Sequence, residues 1–249
     1  MKTNHLVSSF SVPGFHKIEY HALHELREHR NTLLKRKNAT IGSQTFKSLV
    51  SESISVQAGY YLYNLCRYTE VTSCVNVATG LGFGAAYVCA AMKANSAAHS
   101  TTAKMFIVEE RPELLRASIE TIGRLNKFPG IVEVLSSDSF TDPLVGSTDM
   151  LLLSNTNRLT GGERYFEMAK DMVAGGLFCV LNIRASDEIR SLWGSMLSDP
   201  GFQFTTVGPN MTGVCVVASK SVLQDNQGVR VLEEPGVYGP DAERKLRTA

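Results

Sequence analysis

The residues with the clearest chemical potential lie in the segment VNVATGLGFGAA, residues 75–86. A run that predicts a buried strand precedes Gly80 and Gly82, and a run typical of a helix follows them. Glycine at such a turn lets the backbone come close to a bound nucleotide. The spacing also fits an NAD-binding turn or a tight turn without a ligand, so this segment alone does not define a site.

Two carboxylates stand at the ends of the next two predicted strands. Glu109 lies in MFIVEERPELL, where it could accept hydrogen bonds from both hydroxyls of a ribose. Asp138 lies in VEVLSSDSF, where it could accept one from an adenine amino group. Each also has a simpler interpretation, as a helix-start acid or as a helix cap. Because open α/β sheets bind ligands at successive strand ends, the three features together predict a nucleoside site.

With these segments the chain resembles the class I S-adenosylmethionine-dependent methyltransferases, and more narrowly the small-molecule O-methyltransferases related to the catechol and caffeoyl-coenzyme A enzymes. The resemblance runs from about Ser55 to Lys220 and includes the helix YFEMAKDMVAGG. It implies S-adenosylmethionine as cofactor, with Glu109 on the ribose and Asp138 near the adenine. The expected cofactor-binding residues are Asn76, Ala78, Gly80, Gly82, Gly84, Glu109, Asp138 and Ser154.

The chain departs from the metal-dependent members of that family at their ligand positions. Those members have an aspartate after the fourth strand and an Asp-Asn pair after the fifth. Here the first segment reads LLLSNTNRL, and in the second Leu181 stands in the Asp place before Asn182. Magnesium needs several hard oxygen ligands, normally including carboxylates. We therefore expect no metal and a metal-independent reaction on a small molecule.

A second departure is Asn76, which stands where the family usually has an acid near the amino-acid end of the cofactor; Ala78 likewise replaces the first glycine. A carboxylate would favour the protonated form of the cofactor's α-amino group, whose ordinary pKa is about 7.7–8.0. Asn keeps an acceptor without the charge, so a neutral amine could attack its own γ-carbon. That attack would release methylthioadenosine and form azetidine-2-carboxylate. In the alternative, Asn76 only binds the amine of an ordinary methyl donor.

Ordinary methyl transfer is the leading hypothesis, because displacement at a sulfonium can proceed by positioning and desolvation. Self-cyclisation, a non-catalytic subunit that binds S-adenosylmethionine and an NAD-linked dehydrogenase are the alternatives. The candidate catalytic residues are Asn76, Asn155, Tyr165 and Tyr20. Aromatic rings that face the sulfonium would assist either reaction, and the candidates are Tyr20, Tyr60, Tyr61, Tyr165 and Phe166. A histidine from the first helix is a further candidate base, namely His16, His21 or His24.

The elements that must position these residues alternate between short apolar runs and amphipathic ones, which predicts a mostly parallel sheet covered on both faces. The expected fold class is α/β, a Rossmann-like doubly wound seven-stranded sheet with an antiparallel final strand. A single domain is expected, with an N-terminal helical cap (1–54), a core (55–220) and a tail (221–249). The predicted strands are 73–78, 104–108, 132–135, 149–153, 177–183, 202–207 and 214–218. The predicted helices are 16–37, 52–68, 84–94, 112–126, 162–173 and 186–197.

Composition limits the partners. The 249 residues are 43% hydrophobic, which suits one large domain. Lys and Arg number 25 against 24 Asp and Glu, so we expect no nucleic-acid partner. No signal peptide or membrane span is evident, and five cysteines in apolar runs suit a reduced, cytoplasmic protein. The expected partners are a small-molecule substrate or S-adenosylmethionine itself, and the family resemblance is compatible with a homodimer through the N-terminal helix.

Overall fold

The computed structural model describes residues 17–36, 38–126, 131–136, 144–145, 147–154, 156, 161–172, 175–208 and 211–218. The strands are β1 (Thr40–Ile41), β2 (Gln44–Thr45), β3 (Ser73–Val77), β4 (Lys104–Val108), β5 (Val132–Leu135), β6 (Met150–Leu153), β7 (Leu177–Val180), β8 (Phe202–Gly208) and β9 (Thr212–Val217). The helices are α1 (Lys17–Lys35), α2 (Phe46–Glu52), α3 (Val56–Tyr68), α4 (Phe83–His99), α5 (Pro112–Asn126), α6 (Gly162–Lys170) and α7 (Asp187–Met196).

Seven strands form one sheet in the order β5-β4-β3-β6-β7-β9-β8. Strands β5, β4, β3, β6 and β7 pair in parallel, whereas β9 is antiparallel to both of its neighbours. The predicted doubly wound sheet with a reversed final strand is therefore confirmed. The chain moves outward from β3 to β5 on one side and from β6 on the other, so the order of strands reverses between β3 and β6.

The sheet separates two apolar cores. One face packs against α1 to α5 and includes Leu23, Leu62 and Met92; the other packs against α6 and α7 and includes Phe166 and Trp193. Every residue of β6 and β7 is buried, which explains why these strands are continuous apolar runs rather than alternating ones. The elements on both faces hold the strand ends rigidly, and the site lies at those ends.

The predicted helix over 52–68 is wrong at its beginning, because two helices share this region. The Ser55 side chain accepts a hydrogen bond from the Ala58 amide and caps α3, while Ser53 is extended and ends α2. Thr45 caps α2 in the same way, through the Ser48 amide. The small hairpin β1–β2 that precedes α2 was also absent from the prediction. The serines were the signal for this break, since Ser is a preferred N-cap.

Several other boundaries differ from the prediction; for example, β7 ends at Val180 rather than at residue 183. Strand β3 ends at Val77 rather than Ala78, because Ala78 has a φ of 51° and leaves the extended conformation. Helix α4 continues to His99 instead of ending at residue 94. Asn95 is fully buried in the helix, and its side-chain amide donates to the carbonyls of Cys66 (2.9 Å) and Val71 (2.8 Å).

All five cysteines are buried in helices or strands, as their apolar surroundings predicted. Within the described residues, no helix has the length and apolar character needed to cross a membrane.

Candidate functional site

The glycine turn (residues 78–84) connects β3 to α4, and three of its residues have a left-handed backbone conformation. Ala78, Gly80 and Gly82 have φ values of 51°, 61° and 81°. The Ala78 amide donates to the Val108 carbonyl (2.9 Å), and the Gly80 amide donates to Oε2 of Glu109 (3.0 Å). Both contacts attach the turn to the end of β4, so strand-end pairing positions it.

Two glycines of this turn lie where an added Cβ would meet close neighbours, and Gly82 also has a positive φ. A Cβ on Gly82 would lie 2.7 Å from Cα and 2.8 Å from the carbonyl oxygen of Ser118, which is backbone of α5. A Cβ on Gly84 would lie 3.1 Å from Oγ of Ser154 and 3.2 Å from Cδ1 of Leu181. Gly82 therefore serves helix packing, whereas Gly84 keeps space beside the ends of β6 and β7.

Asn76 lies at the end of β3 and is completely buried. Its amide nitrogen donates to Oγ of Ser154 (2.6 Å) and to the Leu152 carbonyl (3.2 Å). Its Oδ1 atom is buried without a hydrogen-bond partner in the described part of the chain. Buried polar atoms are rarely left unpaired, so this oxygen is an acceptor available to a ligand or a water.

Glu109 is held in place by four hydrogen bonds and its side chain is only 2% exposed. Besides the Gly80 amide, it accepts the main-chain amide of Arg111 (3.2 Å) at Oε1. The Arg111 guanidinium donates from Nε to Oε1 (2.8 Å) and from its second terminal nitrogen to Oε2 (3.3 Å). The expected ribose acceptor is thus paired with a cation from its own chain.

A small pocket lies against the glycine turn. Glu52 is the one ionisable side chain among its lining residues; it is half-buried and accepts a hydrogen bond from Oγ of Ser48 (2.9 Å). The wall formed by 52–54 is fixed from α1, because the Arg30 guanidinium donates to the carbonyls of Val50 (3.0 Å) and Ile54. The lining residues are Glu52, Ser53, Ile54, Thr79, Gly80, Leu81, Phe83, Gly84, Ser154 and Leu181.

The residues that the family resemblance places at metal-ligand positions have other contacts here. Ser154 binds Asn76, the Leu181 side chain lines the pocket, and Asn182 is exposed with a φ of 58°. Oγ1 of Thr156 donates to the carbonyls of Leu181 (2.7 Å) and Asn182 (3.2 Å). Across the described residues, no group of three or more His, Cys, Asp or Glu side chains is arranged to hold a metal.

The structure brings together only part of the candidate site. Asp138, Asn155 and His16 lie outside the described residues, and so do the side chains of Tyr20 and His21. Tyr165 is half-buried on α6 against the opposite core, where burial raises the pKa of its phenol, Arg164 lowers it and Glu110 raises it. The other predicted residues that are described but do not line the pocket are Asn76, Ala78, Gly82, Glu109, Tyr60, Tyr61, Phe166 and the exposed His24.

Sequence reasoning missed Glu52 and Arg111. Glu52 is distant in sequence from the glycine turn and belongs to no motif, so only the tertiary fold brings it to the pocket. Arg111 could have been noticed, because it follows the strand-end acid by two residues and an arginine at that separation can reach a carboxylate. The pocket residues Phe83 and Leu181 are apolar and carry no chemical signal in the sequence.

No family model and no curated protein matches the amino-acid sequence. Solved structures do match its fold. An O-methyltransferase from Bacillus cereus, in complex with S-adenosylhomocysteine, has a TM-score of 0.56 at 15% identity, over 86% of this chain and 95% of that one.

Two further solved structures have a similar fold. The Podospora anserina methyltransferase PaMTH1, bound to S-adenosylhomocysteine, has a TM-score of 0.55 at 11% identity, over 84% of this chain and 91% of that one. The O-methyltransferase TomG from Streptomyces achromogenes, in complex with S-adenosylmethionine, has a TM-score of 0.54 at 14% identity, over 83% and 92%. The chain therefore has the fold of the S-adenosylmethionine-dependent O-methyltransferases.

Proposed function

We propose that this protein binds S-adenosylmethionine beside the glycine turn and transfers its methyl group to a small molecule. The observation that carries the proposal is the location of the pocket, which is lined by Gly80, Gly84 and Ser154 where the strand order reverses between β3 and β6. Doubly wound α/β proteins bind their ligands at such a point. The similar enzymes from Bacillus cereus and Streptomyces achromogenes carry S-adenosylhomocysteine and S-adenosylmethionine on the same fold.

The residues around the pocket fit this cofactor. The absent side chain of Gly84 leaves a space that a Cβ would close against Ser154, and Oδ1 of Asn76 is a buried acceptor behind that serine. Ser154 and Glu52 would hold the amino-acid end, and the backbone of the glycine turn would hold the nucleoside. When bound, the cofactor supplies a methyl group already activated on a sulfonium. The apolar side chains of Phe83 and Leu181 would exclude water from it.

We propose further that the reaction needs no metal. The proposal rests on donor chemistry: Oγ of Ser154 is engaged by Asn76, Leu181 offers no donor, and Asn182 is an uncharged amide. Magnesium is normally bound through carboxylates. Turnover should therefore be the same after treatment with EDTA and after addition of magnesium, and a loss of activity that magnesium restores would contradict this part of the proposal.

Self-cyclisation is the second candidate, and one observation favours it. Asn76 is uncharged and buried, so the end of β3 offers no carboxylate to stabilise an ammonium group. Glu52 argues in the other direction, because a carboxylate in the same pocket favours the protonated amine. A protonated amine is not a nucleophile, and methyl transfer therefore remains the leading proposal.

The experiment that separates these functions identifies the nucleoside product by mass spectrometry. The purified protein is incubated with S-adenosylmethionine alone and then with a panel of hydroxylated small molecules. Methyl transfer yields S-adenosylhomocysteine only when an acceptor is present, whereas cyclisation yields methylthioadenosine without one. Binding without either product would support a non-catalytic subunit, and a protein that does not bind the cofactor would overturn the proposal.

A pair of variants tests the role of charge at the amine. If cyclisation occurs, Asn76→Asp should lower the ratio of methylthioadenosine to S-adenosylhomocysteine near neutral pH, because the new carboxylate favours the ammonium form. Glu52→Gln removes a charge from the same pocket and should raise that ratio. The ratio is unaffected by a loss of folded protein, so destabilisation does not imitate the result. An unchanged ratio in both variants would contradict control by amine protonation.

A further inference from the structure

The carboxylate of Glu109 has no hydrogen-bonding capacity left. Oε1 accepts the main-chain amide and Nε of Arg111, and Oε2 accepts the Gly80 amide and a terminal nitrogen of Arg111. An ionised carboxylate offers about four lone-pair positions, and all four are taken. With its side chain only 2% exposed, Glu109 also has almost no surface at which a further donor could approach.

This arrangement conflicts with the expected binding of a ribose to Glu109. Two hydroxyl groups would need acceptor positions, and two of the four are held by main-chain amides that fix the glycine turn and the start of α5. The other two belong to the guanidinium of Arg111, whose side chain is 28% exposed. The guanidinium is therefore the donor that can leave Glu109, because it is accessible to solvent.

The backbone of Arg111 does not have to move. Its carbonyl accepts the amides of Leu114 (3.1 Å) and Leu115 (2.9 Å) and so begins α5, and Pro112 follows it directly. Rotation of the side chain alone would exchange two charged hydrogen bonds for two hydroxyl hydrogen bonds while the strand end and the turn stay in place.

We propose that Arg111 is a specificity-determining residue that competes with the ribose hydroxyls of an adenosyl ligand for Glu109. The inference rests on the proposed binding of S-adenosylmethionine at this site. Competition of this kind lowers the affinity for the nucleoside, because part of the binding energy is used to displace the guanidinium. Removing the guanidinium should therefore strengthen binding, and only for ligands that carry the ribose hydroxyls.

Isothermal titration calorimetry with S-adenosylhomocysteine and with its 2′,3′-dideoxy analogue tests the proposal. Arg111→Met should bind S-adenosylhomocysteine about tenfold more tightly than the unmodified protein, because the competing two-point ion pair with Glu109 is lost. Its affinity for the dideoxy analogue should be unchanged. Arg111→Lys keeps the charge but loses the paired geometry and should give an intermediate value. Arg116→Met removes a charge from an exposed position on α5 and is the matched control.

The outcomes separate this inference from the proposed function. If S-adenosylhomocysteine binds equally well, or less well, to Arg111→Met than to the unmodified protein, the competition is wrong; weaker binding would make Arg111 a direct ligand contact. If neither protein binds it, the proposed function fails. Circular dichroism and urea unfolding establish that the variants are folded, and the comparison of the two ligands within one variant does not depend on the folded fraction.

Discussion

The residues of the glycine turn differ in the strain that their left-handed backbone conformation causes. Ala78 adopts a φ of 51° with a side chain present, and the hydrogen bond from its amide to the Val108 carbonyl offsets part of the strain. Gly82 has a φ of 81° and also faces the backbone of α5 at a distance that no Cβ can occupy. Conformational strain and steric overlap therefore act together at Gly82.

Gly82→Ala should destabilise the protein by about 2–4 kcal/mol, because the strained backbone and the overlap with Ser118 add. Gly123→Ala on α5 is the matched control. An added Cβ there meets no atom within 4 Å, and alanine favours the helix, so we expect a gain of about 0.5–1 kcal/mol. Urea unfolding measures both changes, and a Gly82→Ala variant as stable as the unmodified protein would contradict the packing role.

These residues show what the sequence could and could not reveal at this scale. Their types indicated the strand-end turn, the acid at Glu109 and the missing charge at Asn76. The sequence predicted close approach of a ligand at Gly82, and the structure shows that α5 lies close on the side where a Cβ would point. A glycine motif indicates that there is no room for a side chain. It does not indicate whether the neighbouring atoms belong to a ligand or to another part of the protein.

At the scale of elements, α1 fixes the wall of the pocket. The Arg30 guanidinium binds the carbonyls of Val50 and Ile54 and lies 5.6 Å from the ring centroid of Phe83, which lines the pocket. One side chain thus connects α1, the end of α2 and the start of α4. Helix α1 is therefore part of the site's architecture.

Arg30→Met should destabilise the protein by about 1–3 kcal/mol, because it leaves the Ile54 carbonyl without its donor and removes a cation from Phe83. It should also weaken binding of S-adenosylhomocysteine, since residues 52–54 lose their anchor. Arg27→Met, at an exposed position on the same helix, is the control for charge. Equal ligand affinity in Arg30→Met and Arg27→Met would contradict the role of Arg30 in the pocket wall.

The contact between α1 and α5 should make stability depend on pH. His29 is half-buried, its Nε2 lies 3.4 Å from Oγ1 of Thr121, and its ring lies 5.9 Å from that of Phe83. Burial lowers the pKa of His29 in the folded protein, Arg124 lowers it further and Glu120 raises it. Below the unfolded pKa of about 6.5, the unfolded chain takes up a proton more readily than the folded one, so stability falls as the pH decreases.

His29→Gln should reduce the loss of stability between pH 7 and pH 5 while retaining a polar group near Thr121. His24→Gln, on the same helix with an exposed imidazole, is the matched control. Urea unfolding at both pH values gives the difference for each variant. If His29→Gln loses as much stability as the unmodified protein between pH 7 and pH 5, protonation of His29 does not cause the pH dependence.

The order and type of the elements of the sheet could be predicted because buried parallel strands leave continuous apolar runs, as in β6 and β7. The region around α2 could not, because α2 has only seven residues and its limits are set by the capping residues Thr45 and Ser53 rather than by periodicity. The same reasoning explains Glu52: it reaches the pocket only because α2 ends there. Helices whose limits are set by local capping therefore cannot be predicted from the hydrophobic pattern alone.

In the molecule as a whole, the buried cysteines are distributed over both apolar cores. Cys74 and Cys179 belong to the core under α1 to α5, whereas Cys215 belongs to the core under α6 and α7. Burial raises the pKa of each thiol, to about 12 for Cys89. Since the thiolate is the reactive form, these groups are protected both by burial and by protonation.

The native protein should therefore react negligibly with a thiol reagent such as Ellman's reagent at pH 8, and all five cysteines should react after denaturation in urea. Because the two cores share one sheet, the labelling rates of Cys215 and Cys74 should rise with the same dependence on urea concentration. Mass spectrometry of partially labelled protein measures both positions in one sample. Labelling of Cys215 at a urea concentration that leaves Cys74 protected would mean that the α6–α7 face opens independently, and the sheet would then not unfold as one cooperative unit.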